Sequence, residues 1–125
     1  MIGMTPQELR ERTRLFMMRV IRFCRTLPQT VEGQEIGRQL VRAGMGTADN
    51  YRSAQRARSR TEFASRLSLA LDEADEAHSW LTAAGDLSIG DAVEADLLKR
   101  EAAELCAIFG RGCQTAKRPK RSIAR

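Results

Sequence analysis

Four arginines fall within nine residues, at Arg52, Arg56, Arg58 and Arg60, with no acid among them. A guanidinium stays charged at any working pH and presents a flat fork of N–H donors that matches the oxygens of a phosphate or a carboxylate. Arg38 and Arg42 precede this run, and residues 1–60 hold 12 arginines and no lysine. Lysine serves as a solubilising point charge, so a region that uses arginine alone points to forked contacts. Three readings of the run stay open: a strip for nucleic-acid phosphates, a surface that meets acids of a neighbouring subunit, and a solvated helix face.

Other chemistry finds little to work with. The single histidine, His78, follows Asp75 at the spacing of the carboxylate–histidine pair in di-iron bundles. Such a centre needs a second pair and further carboxylates; Glu101 and Glu104 bring spacing but no histidine, so neither a metal nor any other cofactor is expected. There is no nucleophile–histidine constellation and no glycine-rich phosphate loop, which makes the chain a non-enzyme on this reading. Cys24, Cys106 and Cys113 are odd in number and lack CxxC spacing, as suits reduced thiols buried as small hydrophobes in a cytoplasmic protein. No apolar run approaches the ~18 residues of a membrane span, and the arginine-rich start has no signal-peptide core.

Charge is unevenly distributed. Residues 1–60 carry 12 arginines against 5 acids, residues 61–113 carry 4 cations against 11 acids, and the last twelve residues add 5 cations and no acid. A basic half, an acidic half and a basic tail point to an anionic partner or to association between unlike halves.

These residues must be positioned by helices, because apolar spacing follows a period near 3.6 and never 2. Thr5-Pro6-Gln7-Glu8 is a capping box that opens a first helix, running to Leu27 before Pro28, with Leu9, Phe16, Val20, Phe23 and Leu27 inward. A second helix follows Thr30 and reaches about Ala57, with Ile36, Leu40, Ala43, Thr47, Tyr51 and Ala54 inward. Gly37, Gly44 and Gly46 inside it cost roughly 1 kcal/mol each relative to alanine, which a close helix–helix approach would offset. Ser59-x-x-Glu62 is a second capping box, opening a third helix with Phe63, Leu67, Ala70, Ala74, Ala77 and Leu81 inward and Gly85 at its end. Ser88 caps a fourth helix, lined inward by Leu98, Ala102, Leu105, Cys106 and Phe109, and the stretch beyond Cys113 is expected to be flexible. The fold class is all-α, an antiparallel up-down four-helix bundle over residues 1–116 with a basic flexible tail over 117–125.

On that frame Arg38, Arg42, Arg52 and Arg56 lie within about 80° of one another, opposite the core stripe of the second helix, and span about 27 Å. Arg58 and Arg60 continue the charge into the turn, and Lys117, Arg118, Lys120 and Arg121 supply the tail. Apolar residues also recur off the core stripes: Leu15, Met18 and Ile21 on the first helix, Leu69 and Trp80 beside Glu73 and Glu76 on the third, and Val93, Leu97 and Ile108 on the fourth. Ordered second stripes suit a subunit interface, and unlike charged faces suit a head-to-tail contact that closes into a ring.

The segment QLVRAGMGTADNYRSAQRARSRTEFASRLSLALDEADEAHSWL, residues 39–81, resembles the central signature of the bacterial 23S-rRNA-intervening-sequence four-helix-bundle proteins, most specifically at Arg42, Asn50, Arg52, Arg58, Glu62, Phe63, Glu73 and Glu76. That family includes the accessory protein of diversity-generating retroelements. Many relatives read Asn-Ile-Ala-Glu-Gly where this chain has Asn50-Tyr51-Arg52-Ser53-Ala54. The resemblance implies an antiparallel bundle, a ring-shaped homopentamer and, for the retroelement branch, binding of RNA or DNA together with a reverse transcriptase. The expected function is therefore that of a non-enzymatic oligomer that binds nucleic-acid backbone through arginines. The alternative is an assembly or scaffold protein with a protein partner; no membrane is involved in either.

Overall fold

The computed structural model describes residues 4–119, and every regular element among them is an α-helix. α1 (Pro6–Cys24) opens on the expected capping box: the Thr5 hydroxyl accepts from the Glu8 N–H at 3.0 Å, and the Glu8 carboxylate accepts from the Thr5 N–H at 2.9 Å. It ends at Cys24, short of Leu27. Pro28 keeps the residue before it out of helical geometry, and the N–H groups of Arg25, Thr26 and Leu27 turn back to the carbonyls of Arg22, Phe23 and Cys24 in a tightened last turn. α2 (Val31–Gln55) is capped by Thr30, whose hydroxyl accepts from the Gly33 N–H at 3.1 Å.

α3 (Arg60–Asp86) starts on half of its expected capping box. The Ser59 hydroxyl accepts from the Glu62 N–H at 3.0 Å, but the Glu62 carboxylate takes the Arg58 N–H at 3.3 Å instead of that of Ser59. Gly85 does not end α3, and Ser88 does not cap the next helix. Ser88 has φ 55° and forms the left-handed residue of a Schellman ending, in which the Ile89 N–H reaches the Ala84 carbonyl and the Ser88 N–H reaches that of Gly85. The cap of α4 (Ala92–Lys117) is Asp91, accepting from the Glu94 N–H at 3.0 Å. Serine and aspartate both cap helices, and here the unsatisfied carbonyls of α3 claim the serine. α4 also continues past Cys113 to Lys117, into the stretch expected to be flexible. Its final carbonyls are held from another helix: Arg60 Nη2 donates to the Thr115 carbonyl at 3.2 Å and to that of Arg118 at 2.7 Å.

The four apolar stripes meet in one core that includes Phe16, Phe23, Leu40, Leu81, Leu98 and Phe109, all essentially without solvent exposure. Each helix packs on the next in sequence, and α1 meets α4 more thinly. Tyr51 of α2 and Phe109 of α4 stack across the centre at 5.9 Å between centroids. The interior glycines of α2 serve close approach. A Cβ on Gly44 would lie 3.2 Å from the Val20 side chain of α1, and one on Gly46 would lie 2.7 Å from the carboxyl carbon of Glu73. Trp80, on α3, packs at the edge of the core with its indole N–H buried and unpaired among the described residues; nothing in the structure explains that donor.

All three cysteines are free; burial pushes the thiols of Cys24 and Cys106 up to about 11, so they persist as neutral small hydrophobes. Among the described residues no helix is long and apolar enough to cross a membrane.

Candidate nucleic-acid interface

The core stripe of α2 turns Arg38, Arg42, Arg52 and Arg56 outward, and all four are exposed. Their partners are few and local. Arg38 pairs with Glu35 and Arg52 with Asp49 at 3.6 Å, each three residues away on the same helix. Gln39 and then Arg38 hold the Glu35 carboxylate below its ordinary range. Exposed pairs of this kind are weak and exchange readily for another anion. Arg42 has no ion pair within 4 Å among the described residues, although its charge acts on Glu73 of α3. Arg56 is the C-cap of α2, where a cation also meets the negative end of the helix dipole.

The remaining sequence candidates separate. Arg60 is committed to the carbonyls at the end of α4, so a helix terminus does account for it, though not the one its own sequence position suggests. This contact brings Lys117 and Arg118 beside Arg60 along an open groove between α3 and α4. Arg58 is exposed, with its backbone N–H bound to Glu62. Lys120 and Arg121 lie outside the described residues.

Two arginines of α1, Arg12 and Arg19, behave differently, and the sequence reading missed why. Arg12 donates from Nε to Glu101 at 2.6 Å and from Nη2 to Glu101 at 2.8 Å, and it also reaches Glu104 at 2.5 Å. Arg19 makes the same fork to Glu94 at 3.0 and 3.3 Å. Hydrogen bonding to Glu101 raises the Arg12 pKa further above its ordinary value. The signal was present in the spacing: Arg12 and Arg19 are seven apart, as are Glu94 and Glu101. Glu101 and Glu104 therefore serve Arg12, and among the described residues no three His, Cys, Asp or Glu side chains converge as a metal site would require.

Two further α1 arginines, Arg10 and Arg14, join Arg52 around a half-open cleft of about 670 Å³ between α1 and α2, which Met17 and Met45 also line. Neither was singled out from the sequence, because a cleft between helices has no linear signature.

The second apolar stripes are only partly outward. Leu15 and Leu69 are 46% and 45% exposed, and Val93 and Leu97 are also exposed. Met18 and Ile21 are half-buried, while Trp80 and Ile108 pack against the bundle's own core. Glu73 lies over Gly46, half-buried; desolvation, with Glu76 adding to it against the pull of Arg42, raises its pKa. Glu76 is exposed.

With this geometry, comparison with known families is decisive: residues 7–111 match the 23S rRNA-intervening sequence proteins. The chain belongs to that family. A crystal structure of a protein of unknown function from the S23 ribosomal protein family, from Bacteroides thetaiotaomicron, has the same fold, with a TM-score of 0.74 at 22% identity over 84% of this chain and 97% of that one. A comparison with curated proteins finds no match. Membership in the 23S rRNA-intervening sequence family thus accounts for the fold, and the role of the arginine surface is left to be explained.

Proposed function

We propose that this family member is a non-enzymatic, oligomeric helix-bundle protein that binds the backbone of RNA or DNA through the outer arginines of α2. One observation carries the reading: Arg38 and Arg52 of α2 pair only with partly exposed acids of their own helix and Arg42 and Arg56 have no ion pair among the described residues, whereas Arg12 and Arg19 of α1 are taken up by acids of α4. Arginines left free for an outside anion, in a chain with a formal net charge of +5, form the electrostatic footprint of phosphate recognition. The bundle is read as antiparallel and up-down, supported by the pairing of Arg12 with Glu101 and of the later Arg19 with the earlier Glu94. Assembly into a ring, a pentamer by resemblance, draws support from the exposed Leu15 and Leu69. The reverse-transcriptase partnership is carried by the family resemblance alone.

The test is a salt titration of mixed-sequence RNA and DNA binding, with particle mass measured on the same samples by light scattering. Replacing Arg38 and Arg56 together by Gln is expected to flatten the log–log salt dependence by about 0.7–0.9 per lost phosphate contact and to weaken unrelated sequences alike. Failure of the unmodified protein to bind either polymer at low salt overturns the reading and favours a scaffold with a protein partner. A particle of the monomer mass, 14.0 kDa, removes the ring.

A further inference from the structure

We propose that the cleft between α1 and α2 receives an unpaired base, so that the protein prefers single-stranded nucleic acid to duplex. The inference rests on the nucleic-acid reading above and narrows it from backbone in general to one strand form.

The cleft combines two chemistries that a nucleotide also combines. Met17, Met45 and Ala48 supply an apolar lining, and Met45 is half exposed there. A large methionine side chain left in water at a cleft is a ready surface for a flat ring, because its polarisable sulfur makes favourable contacts with aromatic systems. Arg10, Arg14 and Arg52 stand around the same space. Their forks suit a phosphate, and their planar guanidiniums also stack on bases. At about 670 Å³ the cleft falls within the size range of sites that hold small organic ligands.

The charge bookkeeping allows an incoming phosphate. Arg14 is paired with Glu11 and Arg52 with Asp49, both acids being on the rim of the cleft. Both pairs join side chains more than half exposed on the same helix, where such links are readily exchanged. Arg10 has no carboxylate within 4 Å among the described residues, which leaves one guanidinium to meet the anion at once. The cleft adjoins the arginine strip, since Arg52 belongs to both, so a strand lying on Arg38 to Arg56 passes its mouth. A duplex keeps its bases stacked and paired and offers the cleft only phosphates, whereas a single strand can turn a base inward. The chain has no series of exposed aromatics for base stacking, and the methionine-lined cleft supplies the apolar contact in their place.

The experiment uses the full-length protein with a mixed-sequence DNA oligonucleotide, single-stranded and as a duplex with the same number of phosphates. One base of the single strand is 2-aminopurine, whose fluorescence responds to its surroundings. The expected result is tighter binding of the single strand and a change in 2-aminopurine emission on binding. Met45→Ala should weaken the single strand about two- to tenfold without altering its salt slope, and leave the duplex unchanged. Met45 is exposed enough for the substitution to leave the fold alone, which circular dichroism checks. Equal affinity for both forms overturns the proposal, and so does a single-strand preference that Met45→Ala does not reduce. In both cases the arginine strip keeps its salt dependence and the broader reading stands. Absence of binding to either form, and to the same sequence as RNA, removes the broader reading and this proposal together.

Discussion

Arginine plays two parts in this bundle, on adjacent helices. On α1, Arg12 and Arg19 reach across to carboxylates of α4, and Arg12 with its partner Glu101 keeps only 25% and 19% of side-chain exposure. On α2, Arg38 is 70% exposed and Arg52 51%, each with an acid on its own helix. The difference follows from packing. α1 and α4 approach each other over a thin contact, so long forked side chains bridge a seam that short apolar ones do not fill. α2 turns its arginines away from the buried stripe of Ile36, Leu40, Ala43, Thr47, Tyr51 and Ala54, and no neighbouring helix brings an acid within ion-pair distance of them among the described residues. Residue type alone therefore says little about role; what matters is whether a neighbouring helix brings a matching acid.

The largest expected effect tests the seam. Arg12→Ala should lower stability by about 2 kcal/mol, between the values for exposed and for fully buried pairs, because Glu101 loses its forked partner. Thermal unfolding should show a clear drop for this variant, while Arg38→Gln leaves the midpoint unmoved. Equal midpoints for the two variants would erase the distinction. Next in size is the effect on binding. Arg19→Gln should leave the salt slope for nucleic acid unchanged, in contrast to the joint Arg38 and Arg56 replacement. A flattened slope for Arg19→Gln would mean that seam arginines also reach phosphate.

The smallest effect concerns Glu73, which feels the charge of Arg42 without an ion pair within 4 Å among the described residues. Burial raises the Glu73 pKa above its ordinary value of 4.5, so the folded state binds this proton more tightly than the unfolded chain. The contribution of Glu73 to stability is then fully present below the unfolded value and is lost as pH rises through the folded one. Glu73→Gln should raise the thermal midpoint slightly at neutral pH, and the gain should vanish at a pH below 4.5. A loss of stability at neutral pH would show that Arg42 outweighs desolvation and that Glu73 belongs with the seam.

The fold was largely legible because burial follows periodicity. The inward stripe read for α2 is buried at every position, and the Thr5 cap forms as written. Helix ends were less legible, since Ser88 and Asp91 have the same capping chemistry and the tertiary fate of the α3 carbonyls decides between them. Of the proposed site, only the outward arginine stripe of α2 has a linear signature in the sequence. The contact Arg60 makes has no sequence signal because its acceptors lie 55 and 58 positions away, and the placing of Arg10 and Arg14 at the cleft depends on two helices lying side by side.

Trp80 has a practical consequence. It is the chain's single tryptophan, held at the edge of the core on α3 with its N–H unpaired among the described residues, while the cleft lies between α1 and α2. Its emission therefore serves as an unlabelled optical gauge of the α3 side. A spectral shift upon dilution, with no shift upon addition of oligonucleotide, would separate subunit exchange from ligand capture in a single cuvette.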